Sequence, residues 1–378
     1  MSQAEQYSAS EKSVLQLEFE DLPDKGRITI RDVAAATGHA VSTVSNALAG
    51  KRHVNEETRQ QVKEAAERLG YRPSAVARSL RMKLSSTIGV LVPDVSNPAI
   101  PEFIRGIDDV AVREGCTILL CNTDELLERQ VSQMQTLLDR QVDGMILISQ
   151  HCDAPEVRKL LDGKTPFVLI QRRSERYRDD YVGSDNLQGM RDSVTYLHEL
   201  GHRRIGLVTG PASSSTAQER LEAFEATIAD LGCDEDPDLI FRGDYTVEAG
   251  FDAMHHFAGL SNRPTALIAS NDIAALGVQD AASELGLSIP DDISLLGCDD
   301  IQIAGLRRIN LSTLRLPKRE MGASAADLLM RRIHSKRPPT PREIIIPTKL
   351  VTRGSCAPPA GLADTKRPAI RRPLVSPG

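Results

Sequence analysis

Residues 88–170 contain four short apolar runs, IGVLV (88–92), TILLC (117–121), GMILI (144–148) and PFVLI (166–170), separated by longer amphipathic stretches. Runs of this length read as strands, and the stretches between them as helices. Strand–helix alternation of this kind predicts parallel sheets covered on both faces by helices. The alternation continues toward the C-terminus through IGLV (205–208), TALIA (265–269) and ISLLG (293–297), and fades near residue 350. One sheet holds about five or six strands, and this segment has room for nearly double that number. The expected fold class is therefore α/β, with two doubly wound parallel-sheet lobes.

The totals agree with more than one domain. At about 150 residues per domain, a chain of 378 residues makes two or three. No stretch approaches the roughly 18 uninterrupted apolar residues of a membrane helix. The start, MSQAEQYSASEK, has neither the basic region nor the apolar core of a signal peptide, so a cytoplasmic location is expected. Six cysteines (116, 121, 152, 233, 298 and 356) lie scattered without a C-x-x-C pair. They read as reduced, small apolar residues rather than as a disulfide or zinc set.

Net charge is −6, which by itself argues against nucleic acid. Its distribution reverses that argument. Residues 27–84 hold eleven Lys/Arg against five Asp/Glu, a net of +6, whereas residues 1–26 hold two against six, a net of −4. One basic module on an acidic chain is suited to meeting phosphate. Residues 1–26 read as a disordered acidic leader, and the Pro-rich basic stretch at the other end, 355–378, as a mobile tail.

The basic module begins with Thr29-Ile30-Arg31-Asp32, a capping box that starts a helix through Ile30, Val33, Ala34 and Thr37 and stops at Gly38. A second helix runs from Val41, with Val44, Ala47 and Leu48 inside and Ser42, Ser45 and Asn46 outside. A third starts at the N-cap Asn55, buries Val62, Ala65, Ala66 and Leu69, and ends at Gly70. Helix, tight turn, then helix with a small polar face predicts a helix-turn-helix whose second member enters a DNA groove. An ordinary three-helix bundle has the same periodicity. Residues 73–83 carry Arg78, Arg81 and Lys83 beside Leu80. They read either as a plain linker or as a helix that folds on DNA and wedges its leucine into the minor groove.

Across roughly 28–354 the chain resembles the lactose-repressor/galactose-repressor (LacI/GalR) family, the purine-repressor branch in particular. The strings TIRDVAAATG, STVSNAL, VNEETRQQV, LGYRPSAVARSL, DNLQG, GHRRIGLVTGP, NDIAALG, IPDDISLLGCDD and LSTLRLPKREMG occur in family order and spacing. The resemblance implies a helix-turn-helix headpiece (27–72), a hinge helix (73–85) and a type I periplasmic-binding-protein-like sensor (86–354). Lobe 1 would be about 86–185 and 317–344. Lobe 2 would be about 186–316 plus a last strand near Ile344–Leu350, ending at 354. It also implies a homodimer, with a tetramer open, on a near-palindromic double-stranded operator. Carried over, Val41, Ser42 and Asn46 read bases, Thr43 and Ser45 sit toward the backbone, and Thr29 joins the DNA-facing set. Arg52 is a further base contact, Leu80 intercalates, and Ala77 and Arg81 lie along the minor groove.

The sensor's ligand would sit beyond the carboxyl ends of the strands. There Asp299 can accept hydrogen bonds from a vicinal diol or from ring N–H groups, Arg220 can donate a fork, and Tyr245 offers a stacking face. The resemblance adds Arg172, Thr216, Asn271 and Asp272. Gln171-Arg172 replaces the Asp that many sugar-responsive relatives place before the arginine. Ala99-Ile100 replaces an aromatic pair, and Ser214 stands where the purine branch has arginine. These departures disfavour purine bases and leave a sugar, sugar acid or nucleoside open. No cofactor, metal or catalytic residue is expected: G-x-G-x-x-G, G-x-x-x-x-G-K-[ST], G-x-S-x-G and H-E-x-x-H are all missing. His255-His256 reads as a solvated face. Two rival classes are disfavoured: a sugar-binding transport protein by the missing signal peptide and the helix-turn-helix, and an enzyme by the missing motifs.

Overall fold

The computed structural model describes residues 28–48, 54–71, 84–335 and 340–360. Arg52, Ala77, Leu80, Arg81, the acidic leader and the tail beyond 360 lie outside the described residues. The chain divides into two units, Met1–Lys83 and Leu84–Gly378.

In the first unit, α1 (Ile30–Thr37), α2 (Val41–Leu48) and α3 (Glu56–Leu69) form a three-helix cluster. The Asp32 carboxylate accepts from the Thr29 backbone N–H (2.7 Å) and from its hydroxyl (2.8 Å), which fixes the start of α1. α1 ends at Gly38 with φ +68. The Asn55 side chain accepts from Thr58 N, and Glu56 and Glu57 occupy the positive end of α3. Val33, Val44, Ala47, Val62 and Ala65 are almost fully buried between the helices. Fully burying a valine stabilises by about 1.5–3 kcal/mol. So small a core fixes the geometry of α2 with few contacts.

The second unit holds two six-stranded sheets. Lobe 1 takes β1 (Thr87–Val92), β2 (Thr117–Asn122), β3 (Gly144–Ile148), β4 (Phe167–Ile170), β5 (Tyr181–Ser184) and β11 (Glu343–Ile346), in the order β11-β5-β4-β3-β1-β2, all parallel. Lobe 2 takes β6 (Ile205–Thr209), β7 (Ile240–Arg242), β8 (Ala266–Ala269), β9 (Ser294–Asp299), β10 (Ser312–Arg315) and β12 (Lys349–Val351), in the order β12-β10-β9-β8-β6-β7. Only the β10–β12 pair is antiparallel in the second sheet. The central strands β3, β6 and β9 are buried at every position, as strands covered on both faces must be.

Lobe 1 is covered by α4 (Ile100–Glu114), α5 (Leu127–Asp139), α6 (Pro155–Leu161) and the late helix α11 (Lys318–His334). Lobe 2 is covered by α7 (Asn186–Glu199), α8 (Ser215–Asp230), α9 (Val247–Gly259) and α10 (Asp272–Glu284). α11 packs closely on α4. A Cβ added at Gly106 would lie 2.0 Å from the Arg319 carbonyl, and one at Gly322 would lie 2.2 Å from the Phe103 carbonyl. Only glycines permit that approach.

The chain passes between the lobes three times, at 184–186, 315–318 and 346–349. Two corrections to the sequence reading follow. The closing strand expected near Ile344–Leu350 is two strands: β11 extends lobe 1 to Ile346, and β12 alone belongs to lobe 2. The start of the tail is also held in place. Ser355 Oγ donates to the Leu295 carbonyl (2.6 Å) and accepts from Ser312 N (2.7 Å). The ring of buried His202 bonds Thr265 Oγ1 (2.8 Å) and the Ala357 carbonyl (2.9 Å). A proline-rich composition is compatible with an extended segment when its polar groups find partners on a sheet edge.

All six cysteines are free. His256 is exposed, as a solvated face requires, and His255 is half-buried. Their rings pack against Phe251 and Phe241 at 4.9 and 5.6 Å.

Candidate functional site

α2 presents two faces. Val44 and Ala47 are buried, while Val41 is 43% exposed and Ser42 is exposed. Thr43, Ser45 and Asn46 are half-buried at the margin. None of these four polar side chains makes a hydrogen bond to another described residue. A helix with short hydroxyl and amide groups left free can offer donors and acceptors to base edges without steric conflict. Thr29 differs, since its hydroxyl is already spent on Asp32.

The charge of this unit is unevenly placed. Residues 28–48 and 54–71 hold four Lys/Arg against five Asp/Glu, so the basic excess of 27–84 resides in Arg27, Lys51, Arg52 and the residues 72–83.

In the second unit, six of the seven expected residues stand at the carboxyl ends of strands or on the helix starts that follow. Arg220 alone lies further along, within α8. β9 ends at Asp299 in a sharply turned backbone: Asp299 has φ +129 and Asp300 has φ +55. Such conformations cost on the order of 1–3 kcal/mol each and persist only where the surroundings impose them. Here the Asp300 carboxylate accepts from Arg315 Nε and Arg353 Nη2, both at 2.6 Å. Burial opposes its charge, yet the bonds from Arg353 and then Arg315 hold its carboxyl below the usual range. Lys318, only 1% exposed, donates its ammonium to the Asp299 carbonyl oxygen.

The turn leaves the Asp299 carboxylate buried with no side-chain donor on it among the described residues. Burial first, and then the charge of Asp272, push its carboxyl up to about 7, against the pull of Lys318 and Arg220. Arg220 is itself buried. Its Nε donates to Asn186 Oδ1 (3.0 Å) and its Nη1 to the Ser270 carbonyl (2.6 Å), while Nη2 has no bond to a described residue. An acceptor short of donors and a cation with a donor nitrogen to spare thus act on each other within one neighbourhood. A molecule carrying several hydroxyl groups would satisfy both.

Tyr245, at φ +73, lays its ring over Gly210, where any Cβ would fall 2.0 Å from the ring. Its hydroxyl lies 3.4 Å from both Ser214 Oγ and Thr216 Oγ1, which pair with each other at 2.8 Å. Arg172, at the end of β4, is the contribution from lobe 1. It is buried, and its Nη2 lies 3.3 Å from Glu125. The next residue touches lobe 2: Arg173 N donates to Ser215 Oγ (3.0 Å), and its guanidinium meets Glu219 at 2.6 Å.

Two expected ligand residues are occupied internally. Asp272 accepts from Thr313 Oγ1 (2.6 Å) and Ile301 N (2.9 Å), and burial raises its carboxyl. Asn271 caps α10 through Ala274 N and donates to the Tyr245 carbonyl at 2.9 Å. These bonds hold the wall of the site and the turn at Asp299 in place. Sequence reasoning missed Lys318, Asn186, Ser214 as a partner of Tyr245, and the Asp300 double ion pair. One signal was legible for Lys318, since a cation at a helix N-terminus opposes the dipole unless a local partner compensates.

Residues 29–74 match the model of bacterial regulatory proteins of the lacI family, and residues 194–356 match that of a periplasmic binding protein-like domain. The HTH-type transcriptional repressor PurR of Photobacterium profundum is 34% identical over 310 residues, covering 82% of this chain and 92% of that one. The ribose operon repressor of Escherichia coli is 33% identical over 307 residues, covering 81% and 93%. Among solved structures, the lac repressor dimer bound to operator and the anti-inducer ONPF superposes with a TM-score of 0.78 at 26% identity, covering 88% of this chain and all of that one.

Proposed function

The chain belongs to the lacI family of bacterial regulatory proteins, and from that premise we propose that it is a sequence-specific DNA-binding repressor released or retained by a small sugar. The observation that carries the reading is the outer face of α2, where Ser42, Thr43, Ser45 and Asn46 have no hydrogen-bond partner among the described residues. In this reading Val41, Ser42 and Asn46 contact bases, Thr43 and Ser45 position the helix on the backbone, and Thr29 sits at the phosphate side. Arg52, Ala77, Leu80 and Arg81 take the base, minor-groove and wedge roles that the family resemblance gives them. The protein acts as a homodimer, each copy reading one half of a near-palindromic operator. It regulates a carbohydrate-utilisation operon from the cytoplasm, and no helix among the described residues is long and apolar enough to cross a membrane.

The effector binds at the strand ends, where Asp299 accepts from a diol, Arg220 and Arg172 donate, and Tyr245 with Thr216 lines the wall. Asn271 and Asp272 hold that wall and the Asp299 turn. The ribose operon repressor among the relatives supports a sugar. Two experiments test the reading. Selection from random duplexes with purified protein is expected to recover a near-palindrome, and recovery of none would end the DNA assignment. A thermal-shift panel of pentoses, hexoses, sugar acids and nucleosides is expected to give its largest rise in Tm with a neutral sugar. A nucleoside in first place would transfer the operon assignment to nucleoside metabolism.

A further inference from the structure

Two arginine-rich segments stand out on this acidic chain. Residues 172–178, RRSERYR, carry four arginines and one glutamate; residues 331–342, RRIHSKRPPTPR, carry five Lys/Arg and no Asp or Glu. They are about 160 residues apart in sequence. Parallel pairing of β5 with β11, Tyr181 opposite Glu343, brings their ends together, and Tyr181 N donates to the Arg342 carbonyl at 2.9 Å. Between them lies a cavity of about 490 Å³ within lobe 1, rimmed by Arg176, Arg178 and Arg342. It is separate from the cluster around Asp299.

Charge pairing around the cavity is uneven. Arg158 is paired with Asp179 (2.7 Å), Arg173 with Glu219 and Glu343, and Arg332 with Asp180. These pairs use up the nearby carboxylates. Arg176, Arg178 and Arg342 have no ion pair or side-chain hydrogen bond to a described residue. Glu175 is the one carboxylate of the rim not already engaged. Three guanidiniums around one concavity repel each other, and they present planar donor forks that match phosphate oxygens. Tyr177 adds an aromatic wall, 46% exposed, its ring braced by the Arg158 guanidinium at 4.0 Å.

We propose that this cavity is a second ligand site, for a small phosphorylated metabolite bearing at least two phosphate groups. Its volume lies in the usual range of about 300–1,000 Å³ for small-molecule sites and exceeds what one orthophosphate fills. The site is coupled to the lobe contact through Arg173, which lines the cavity and also holds Glu219 of lobe 2. An anion seated there competes with Glu219 for that guanidinium, so it alters the balance between lobe arrangements.

Isothermal titration of the full-length protein with pyrophosphate, orthophosphate and ADP, at fixed ionic strength, tests this. Pyrophosphate and ADP are expected to bind with one site per chain and more tightly than orthophosphate. R176Q/R178Q/R342Q is expected to weaken both at least tenfold, and R178Q alone to weaken them less. All three side chains are exposed, so unchanged thermal unfolding of the variants is expected to accompany the loss. D299A is expected to bind pyrophosphate as the wild type does. No binding by the wild type, full binding by the triple variant, or loss in D299A would each overturn the proposal. So would a triple variant that loses affinity for non-operator duplex while keeping pyrophosphate, because the arginines would then serve DNA.

Discussion

Asn46 and Asp299 are both assigned direct contact with a partner molecule, and they stand in opposite physical settings. Asn46 lies on a regular helix, half-buried, with its amide unbonded among the described residues. Asp299 sits at φ +129, 9% exposed, in a turn held by Lys318, Arg315 and Arg353. The difference follows from the size of the partner. A DNA groove comes to the protein and supplies its own walls, so a polar helix face on a small core suffices. A small ligand must be surrounded, so the protein takes polar groups out of water and holds them short of partners until the ligand arrives. The first arrangement costs the fold little. The second stores strain and unsatisfied charge at the site.

The largest expected effect lies on the strained side. D299A should weaken sugar binding at least about 30-fold, because losing one partner of a buried, charged hydrogen-bonded set costs about 2–5 kcal/mol. Operator affinity without sugar should stay within twofold, measured by gel shift. Equal loss of both functions would erase the contrast between the two regions. On the unstrained side, N46A should cost about 1–3 kcal/mol of operator binding and relax preference at one base pair per half-site, as for loss of a bidentate base contact. Its melting temperature should match the wild type, since the amide supports nothing inside the headpiece. A variant that melts early would show that Asn46 is structural.

The same contrast governs what could be read in advance. The helices of the headpiece were legible because the caps Thr29-Asp32, Gly38, Asn55 and Gly70 are local chemistry, and because Ile30-Val33-Ala34, Val44-Ala47-Leu48 and Val62-Ala65-Ala66-Leu69 each recur at helical spacing within one helix. The seven apolar strands were legible for the same reason. Four short strands were not: YVGS, IFR, STLR and KLV are three or four residues long and too polar to stand out. Asp299 and Arg220 were visible as charged residues in apolar surroundings. The internal bonds of Asp272 and Asn271 were not legible, because their partners, Thr313 and Tyr245, are 41 and 26 residues away. Lys318 and the grip of Arg353 on Asp300 depend on three chain crossings that no local pattern encodes.

The smallest expected effect is the one most specific to the strained site. Because burial lifts the Asp299 carboxyl to about 7, the sugar-free protein takes up a proton there as pH falls through neutrality. A carboxylate accepts two diol hydrogen bonds, and its protonated form gives up part of that capacity, so sugar binding should tighten as pH rises. If only the ionised form binds, the dissociation constant falls about tenfold between pH 6 and 8 and then levels. The stability of the empty protein should move the other way. A carboxyl raised above its unfolded value binds more protons folded than unfolded between about pH 4 and 7, so this group's contribution is lost as pH rises through that window. D299N should remove the binding slope and reduce the stability slope, leaving the shares of Asp272 and His202. His202 supplies an internal control of opposite sign: burial lowers its imidazole, so its contribution is lost on acidification below its unfolded value of 6.5. Calorimetric titration of the sugar across pH 6–8, with thermal unfolding of wild type and D299N at each point, measures all of these. A flat binding profile with an unchanged D299N slope would mean that Asp299 is already ionised and paired in the empty site, and the contrast with Asn46 would fail at its sharpest point.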